Sequence, residues 1–204
     1  MENYQIWLDK ELEKIQESGK TPRLLLHSCC GPCSSYVLEY LTGFFDITID
    51  YYNPNIFPEE EFLHRFSEQE RLIREMPFKN RVTLQKGEYD YGVFEKAISG
   101  LEQEPEGGAR CRVCYRLRLE HAVKIAKVEG FDYFTTTLSV SPYKKSDALN
   151  EIGLELAEQY GIPYLCSDFK KRNGYKRSIE LSAQYGLYRQ PICGCVYSDY
   201  RTET

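Results

Sequence analysis

Apolar and polar positions alternate along this chain in blocks that read by turns as helix and strand. Ile6, Trp7, Leu8, Leu12 and Ile15 recur with charges between them over residues 4 to 18, and Gly19 stands where a helix C-cap belongs, which predicts a leading amphipathic helix. Thr21-Pro22 breaks it. Arg23 to His27 is a short apolar run that predicts a buried strand, with Ser34 to Leu41 as the following helix. Ile47, Ile49 and Tyr51 alternate within Asp46 to Tyr52, a second strand running into the rigid turn Asn53-Pro54-Asn55-Ile56-Phe57-Pro58. Glu59 to Glu75 is rich in helix formers, with Phe62, Leu63, Phe66 and Ile73 on its inner side, and Met76-Pro77 closes it. Arg81 to Gln85 predicts a third strand and Val93 to Ile98 a short helix. A long helix opens at Arg110 and continues through Leu117, His121, Ile125 and Val128 to Gly130. Phe131 to Thr136 and Ile162 to Leu165 predict a fourth and a fifth strand on either side of a helix over Ser146 to Tyr160, and a last helix passes through Ile179 and Leu181.

Strand and helix keep alternating, with neither an internal repeat nor a low-complexity linker, and this argues for one α/β domain with a mostly parallel sheet flanked by helices. Its expected span is 1–204, made of a leading helix at 1–19, a core at 22–166, and a C-terminal helix and cysteine-bearing tail at 167–204. In such sheets ligands bind beyond the carboxyl ends of the strands, and Cys29, Cys30 and Cys33 follow the first strand there, in the loop that feeds a helix N-terminus.

Composition narrows the setting. No apolar run approaches the roughly 20 residues of a membrane span, and Met1 to Gln5 carries no basic leader, so a cytoplasmic protein with no membrane partner is expected. Eight cysteines in 204 residues fall well short of a secreted disulfide scaffold. Their grouping as Cys29, Cys30 and Cys33, then Cys111 and Cys114, then Cys193 and Cys195, reads as metal or redox chemistry. The formal net charge of −5 argues against holding nucleic acid by bulk electrostatics. A local basic surface remains, with Lys170, Lys171, Arg172, Lys176 and Arg177 close together and Lys144 and Lys145 in an earlier loop.

The thiols allow three readings. Cys30-Gly-Pro-Cys33 has the spacing of a thioredoxin-type dithiol at a helix start, with Cys30 as the low-pKa nucleophile, but this leaves Cys29, Cys111 and Cys114 without a role. Cys111 and Cys114 with Cys29 and Cys30 supply four thiolates from two helix-starting loops, which suits tetrahedral zinc or an iron–sulfur cluster. Adjacent cysteines, and placement inside an α/β core, tilt that choice toward a cluster and away from a structural-zinc protein that binds RNA without chemistry. Cys193-Gly-Cys195 can pass electrons or ligate metal, whereas Cys166 reads as an inert core residue.

Asp90, Asp132 and Asp168 lie near strand or loop ends where an acid can reach a site. His27 and His121 are expected to be satisfied in the core, and His64 exposed. Tyr188, Arg189 and Gln190 have the aromatic and planar groups that meet an extruded base, although tail packing explains Tyr188 equally well.

Taken together, His27-Ser-Cys-Cys-Gly-Pro-Cys-Ser34, Tyr52-Asn-Pro-Asn-Ile56, Glu106-Gly-Gly-Ala-Arg-Cys-Arg-Val-Cys-Tyr115, Asp132-Tyr-Phe-Thr-Thr-Thr-Leu138, Asp168-Phe-Lys-Lys171 and Leu187-Tyr-Arg-Gln190 followed by Cys-Gly-Cys195 resemble the QueH family of epoxyqueuosine reductases. The resemblance covers nearly the whole chain, with no departure at the cysteines. It implies a HUP-type, PP-loop-like α/β fold and a two-electron deoxygenation of epoxyqueuosine at the wobble position of tRNA, the last step to queuosine. It further implies a [4Fe–4S] cluster on Cys29, Cys30, Cys111 and Cys114, an additional mononuclear iron for which Cys33 is a candidate ligand, and Cys193 with Cys195 as a redox-active pair. Asp90 is the candidate acid. Lys170, Lys171, Tyr188 and Arg189 are candidate contacts to the tRNA, and a separate electron donor is required.

Overall fold

The computed structural model describes residues 3–190 and 192–198. Met1, Glu2, Pro191 and residues 199–204, where the expected leader reading, one position of the tail motif and the end of the expected domain fall, lie outside the described residues. Seven α-helices and four strands follow in the order α1 (Tyr4–Ser18), β1 (Arg23–His27), α2 (Gly31–Leu41), β2 (Asp46–Tyr51), α3 (Glu59–Glu75), β3 (Val82–Lys86), α4 (Tyr91–Ala97), α5 (Ala109–Glu129), β4 (Tyr133–Thr136), α6 (Ser146–Tyr160) and α7 (Gly174–Gln184) among the described residues. A 3-10 turn, Thr137–Val140, follows β4.

The strands form one parallel sheet in the order β3-β2-β1-β4. The chain steps outward from β1 to β3 and then crosses to the other side of β1 for β4, so the order reverses between β1 and β4. A crevice opens at such a switch point beyond the carboxyl ends of the strands. Leu24, Leu25, Leu26 and His27 of β1 are completely buried, as a central parallel strand covered on both faces must be. Leu24 and Leu26 pack with Leu8, Leu12, Val37, Leu38 and Leu41 of α1 and α2, while Leu25 packs on the other side with Leu119, Val123, Leu149 and Ile152 of α5 and α6. Each of these leucines contributes about 2 kcal/mol of apolar burial.

Several details depart from the sequence pattern. The fifth strand is reduced to a single parallel bridge, Phe134 to Tyr164, because Pro163 and the short run before Cys166 leave no room for a ladder. Ile6 and Trp7 of α1 and Leu63 of α3 are exposed, and the buried stripes run instead through Tyr4, Leu8, Leu12 and Ile15, and through Phe62, Arg65, Gln69 and Leu72. On α5 the inner face is Arg110, Cys114, Tyr115, Arg118, Leu119, Ala122, Val123 and Ala126, with Val128 solvent-exposed. Ile179 of α7 is exposed where Leu181 is buried. The helix after β1 begins at Gly31 rather than Ser34, which places Cys33 inside its first turn.

Candidate metal centre

The segment leaving β1 is fixed by backbone and side-chain bonds. Ser28 N–H donates to the Asp50 carbonyl at 3.0 Å, Asn53 Nδ2 donates to the Ser28 carbonyl at 2.8 Å, and the Ser28 and Ser34 hydroxyls both reach Gln69 Oε1. Cys30 is the N-cap of α2 in an extended conformation, and Pro32 is pre-organised for the first helical turn. The result is that the sulfurs of Cys29, Cys30 and Cys33 lie within 4.8 Å of one another, the Cys29 and Cys30 sulfurs 3.7 Å apart. Cys29 and Cys33 donate to Cys30, whose pKa falls well below the usual thiol value, with the Arg65 guanidinium adding to the effect. The thiol of Cys33 moves in the opposite direction.

The remaining thiols are assembled from distant parts of the chain. Arg110, Cys114 and Arg118 succeed one another at one-turn intervals on the inner face of α5, with Cys111 in its first turn receiving a hydrogen bond from Gly107 N–H at 3.2 Å. The tail then brings Cys193 and Cys195 against this face. Arg65, reaching across from α3, donates to the Cys193 carbonyl at 2.9 Å, and Phe57 N–H donates to the Gly194 carbonyl at 3.0 Å. Gly194 has φ of +100°, and a Cβ there would stand 3.1 Å from the Arg65 guanidinium and from Ile56, so the turn requires glycine.

Two adjoining cavities result. The larger, of about 240 Å³, is lined by Cys29, Cys30, Cys33 and Cys193, by Ser141, Tyr143 and Lys144 from the segment after β4, and by Tyr175, Arg189 and Gln190. The smaller, of about 20 Å³, holds little more than one water-sized body and is lined by Cys111, Cys114, Cys193 and Cys195 with Arg110, Arg118 and Lys144. Cys193 and Lys144 line both, with Lys144 Nζ 3.2 Å from the Cys193 sulfur. Seven of the eight cysteines therefore meet at the crevice, and Cys166 stays in the core.

The electrostatics favour ionised sulfur once something arrives to hold it. Burial pushes the thiol of Cys114 up to about 12 and that of Cys195 up to about 11, so the metal-free thiols are protonated. Yet four cations, Arg65, Arg110, Arg118 and Lys144, are buried around them. Burial disfavours the charge of Arg118, a guanidinium nonetheless keeps its proton, and Cys114, Cys193 and Cys29 reinforce that charge once they are ionised. A soft, all-sulfur donor set ringed by buried positive charge fits a thiolate-bound metal such as iron, an iron–sulfur cluster or zinc.

Not every expected residue joins the site. Asp90 is exposed, accepts a hydrogen bond from Gly92 N–H at 2.9 Å as the N-cap of α4, and lines neither cavity. Asp132 accepts from Arg23 N–H, and Asp168 pairs with Lys170. Lys170 also donates to the carbonyls of Ser139 and Lys144 and so braces the loop after β4, while Lys171 faces solvent. Tyr188 packs edge-on against His64 and bonds to Glu61 on α3, whereas Arg189 and Gln190 line the larger cavity. His27 is buried between Thr136 Oγ1 and the Tyr52 carbonyl, and burial together with Arg118 lowers its pKa to about 3. His121 bonds Asp50 at 3.0 Å, and His64 is exposed. Arg65 and Arg118 were not singled out by motif. Their signal is helical spacing, one turn after Glu61 and one turn after Cys114, on the buried faces of α3 and α5.

Known proteins decide the family. The model of the family described as epoxyqueuosine reductase QueH matches residues 24–201. The chain belongs to this family. It is 43% identical over 206 residues to the epoxyqueuosine reductase QueH of Staphylococcus epidermidis, covering 97% of this chain and 87% of that one. It is 42% identical over 198 residues to that of Streptococcus pyogenes serotype M1, covering 96% and 78%. The family extends to Thermotoga maritima, whose relative is 32% identical over 181 residues, 86% of this chain and 89% of that protein. All three thiol groups and both cavities lie within the matched span.

Proposed function

We propose that this chain reduces epoxyqueuosine in tRNA to queuosine, removing the epoxide oxygen as water with two electrons and two protons. The observation that carries the reading is the meeting of seven thiols with four buried cations at the sheet's switch point, in a chain of this family. The thiols are read as holding a [4Fe–4S] cluster on Cys29, Cys30, Cys111 and Cys114 and an additional iron near Cys33, with Cys193 and Cys195 as a second electron store. When bound, such a centre supplies single electrons. The chain's own residues bind and orient: the epoxide-bearing end of the base enters the larger cavity past Tyr175, Arg189 and Gln190, and water is displaced from the walls formed by Cys33, Tyr143 and Lys144.

The parallel order β3-β2-β1-β4 supports a HUP-like single domain in which the cysteine segment stands where relatives carry a phosphate loop. The exposed Lys171 and its neighbour Lys170 are read as part of the tRNA surface, and the electron donor is a separate reductant of the cytoplasm.

The test is direct. Anaerobically purified, iron-loaded chain is incubated with dithionite and tRNA bearing epoxyqueuosine, and the nucleosides are separated by mass. Conversion to a nucleoside lighter by one oxygen is expected; a loaded chain that leaves the nucleoside unchanged contradicts the reading. One observation favours the thioredoxin-like alternative, the acidified Cys30 beside Cys33. Turnover of a disulfide substrate by metal-free chain, lost in Cys33→Ser, is the result that alternative requires.

A further inference from the structure

Arg118 stands apart from the other buried cations of the crevice. Arg65 is paired with Glu61 and with two tail carbonyls, and Lys144 contacts the Cys193 sulfur. Arg118 is 1% exposed, its Nε donates to the Cys114 carbonyl at 3.2 Å, and both of its terminal nitrogens are buried with no hydrogen-bond partner among the described residues. After burial, the strongest influences on its charge come from Cys114, Cys193, Cys29 and Tyr115. It lines the smaller cavity with four thiols.

A guanidinium cannot shed its proton to escape burial. Apart from the Nε bond, the charge faces only the Tyr115 ring, 5.9 Å from Cζ to the ring centroid, and a buried charge so weakly answered is strongly destabilising, so the position makes better physical sense in a state where the sulfurs of the cavity are anionic. A tRNA phosphate cannot be that anion, because the side chain is closed off from solvent. A purely structural strut accounts for the Nε bond and leaves the four terminal N–H groups unexplained.

We infer that Arg118 is a positioning residue for the sulfur centre: its terminal N–H groups donate to the metal-bound thiolates gathered at the smaller cavity, fix their orientation, and raise the reduction potential of the centre they form. The inference rests on the thiols acting as a redox centre, the reading proposed above. A cation beside the centre favours the more negative, reduced form, and hydrogen bonds to sulfur act in the same direction.

The test compares wild type, Arg118→Gln and Arg118→Lys as full-length chains. In metal-free, reduced protein, the affinity for Co2+, followed by its thiolate-to-cobalt charge-transfer absorbance, is expected to fall severalfold in Arg118→Gln and to be largely kept in Arg118→Lys. In iron-loaded protein, a mediated redox titration is expected to show Arg118→Gln about tenfold harder to reduce, a drop of about 59 mV for one electron, with Arg118→Lys between it and wild type. Cobalt affinity and potential both unchanged in a folded Arg118→Gln would make the residue a strut and overturn the inference. If Arg118→Gln does not fold, Arg118→Lys decides: a partial drop supports the inference and an unchanged potential overturns it. A wild-type chain that takes up no iron would sink the proposed centre, and the cobalt comparison would still decide the part played by Arg118.

Discussion

The two helix starts that carry thiols are built by opposite means. At α2 the three sulfurs come from five consecutive residues, and the local chain alone brings them within 4.8 Å. At α5 the cavity needs two residues of one helix, the tail some eighty residues later, and the Arg65 clamp from α3. The first group contains one acidified thiol, Cys30, whereas burial pushes the thiols of Cys111, Cys114 and Cys195 upward. One half is thus poised by its neighbours in sequence and the other waits for a ligand, with Cys193 and Lys144 on the border between them.

The largest expected effect strikes the long-range half first. Gly194→Ala introduces a Cβ against the Arg65 guanidinium at a backbone angle that L-residues avoid, which costs roughly 1–3 kcal/mol locally. A displacement of the tail by an ångström is expected to lower epoxyqueuosine turnover by about 100-fold. Turnover within a factor of two of wild type would mean that the tail is not held by this contact.

A second perturbation addresses the layer beneath the local half. The folded pKa of His27, about 3, is depressed below the ordinary value of 6.5 by burial first and by Arg118 next. The unfolded chain therefore takes up a proton that the native state refuses. Stability from this residue is fully present above pH 6.5 and is lost as pH falls toward 3, at up to about 1.4 kcal/mol per pH unit. Urea titrations from pH 7 to pH 4 should show this slope in wild type and a shallower one in His27→Gln. Equal slopes would remove His27 as the source.

The smallest effect belongs to the rim. Lys171→Glu is expected to weaken tRNA binding severalfold at low salt and to lower the salt slope by about one phosphate contact, with little change at high salt. Unchanged affinity at both salt concentrations would return Lys171 to a solvated surface charge. Lys170 is unsuitable for the same test, since its bonds to Ser139 and Lys144 mean that its loss disturbs the cavity wall.

What could be read from the chain follows the same division. β1, the cysteine segment and the long helix from Arg110 are local patterns, and α3 and α6 fall at Glu59–Glu75 and Ser146–Tyr160 as the sequence predicts. The faces of the helices were harder. On α1 and α5 several apolar residues compete for the inner stripe, and the sheet selected Tyr4 over Trp7 and the row containing Arg118 over the row containing Val128. Charged residues in such rows are read from sequence as solvated, because nothing local says that a thiol from elsewhere will face them. The approach of Cys33 to Cys29 and Cys30 depended on the helix starting three residues earlier than the pattern suggests, a boundary set by Pro32 and the Cys30 cap.

The central claim is that the locally built and the distantly assembled thiols form one centre. Iron and sulfide content, with the visible spectrum, measured on anaerobically reconstituted wild type, Cys29→Ser and Cys114→Ser tests it most directly. The account predicts that each single substitution strips the iron and bleaches the spectrum as fully as the other, with the chain still folded. A Cys114→Ser chain that keeps the iron, the sulfide and the spectrum of wild type would contradict it.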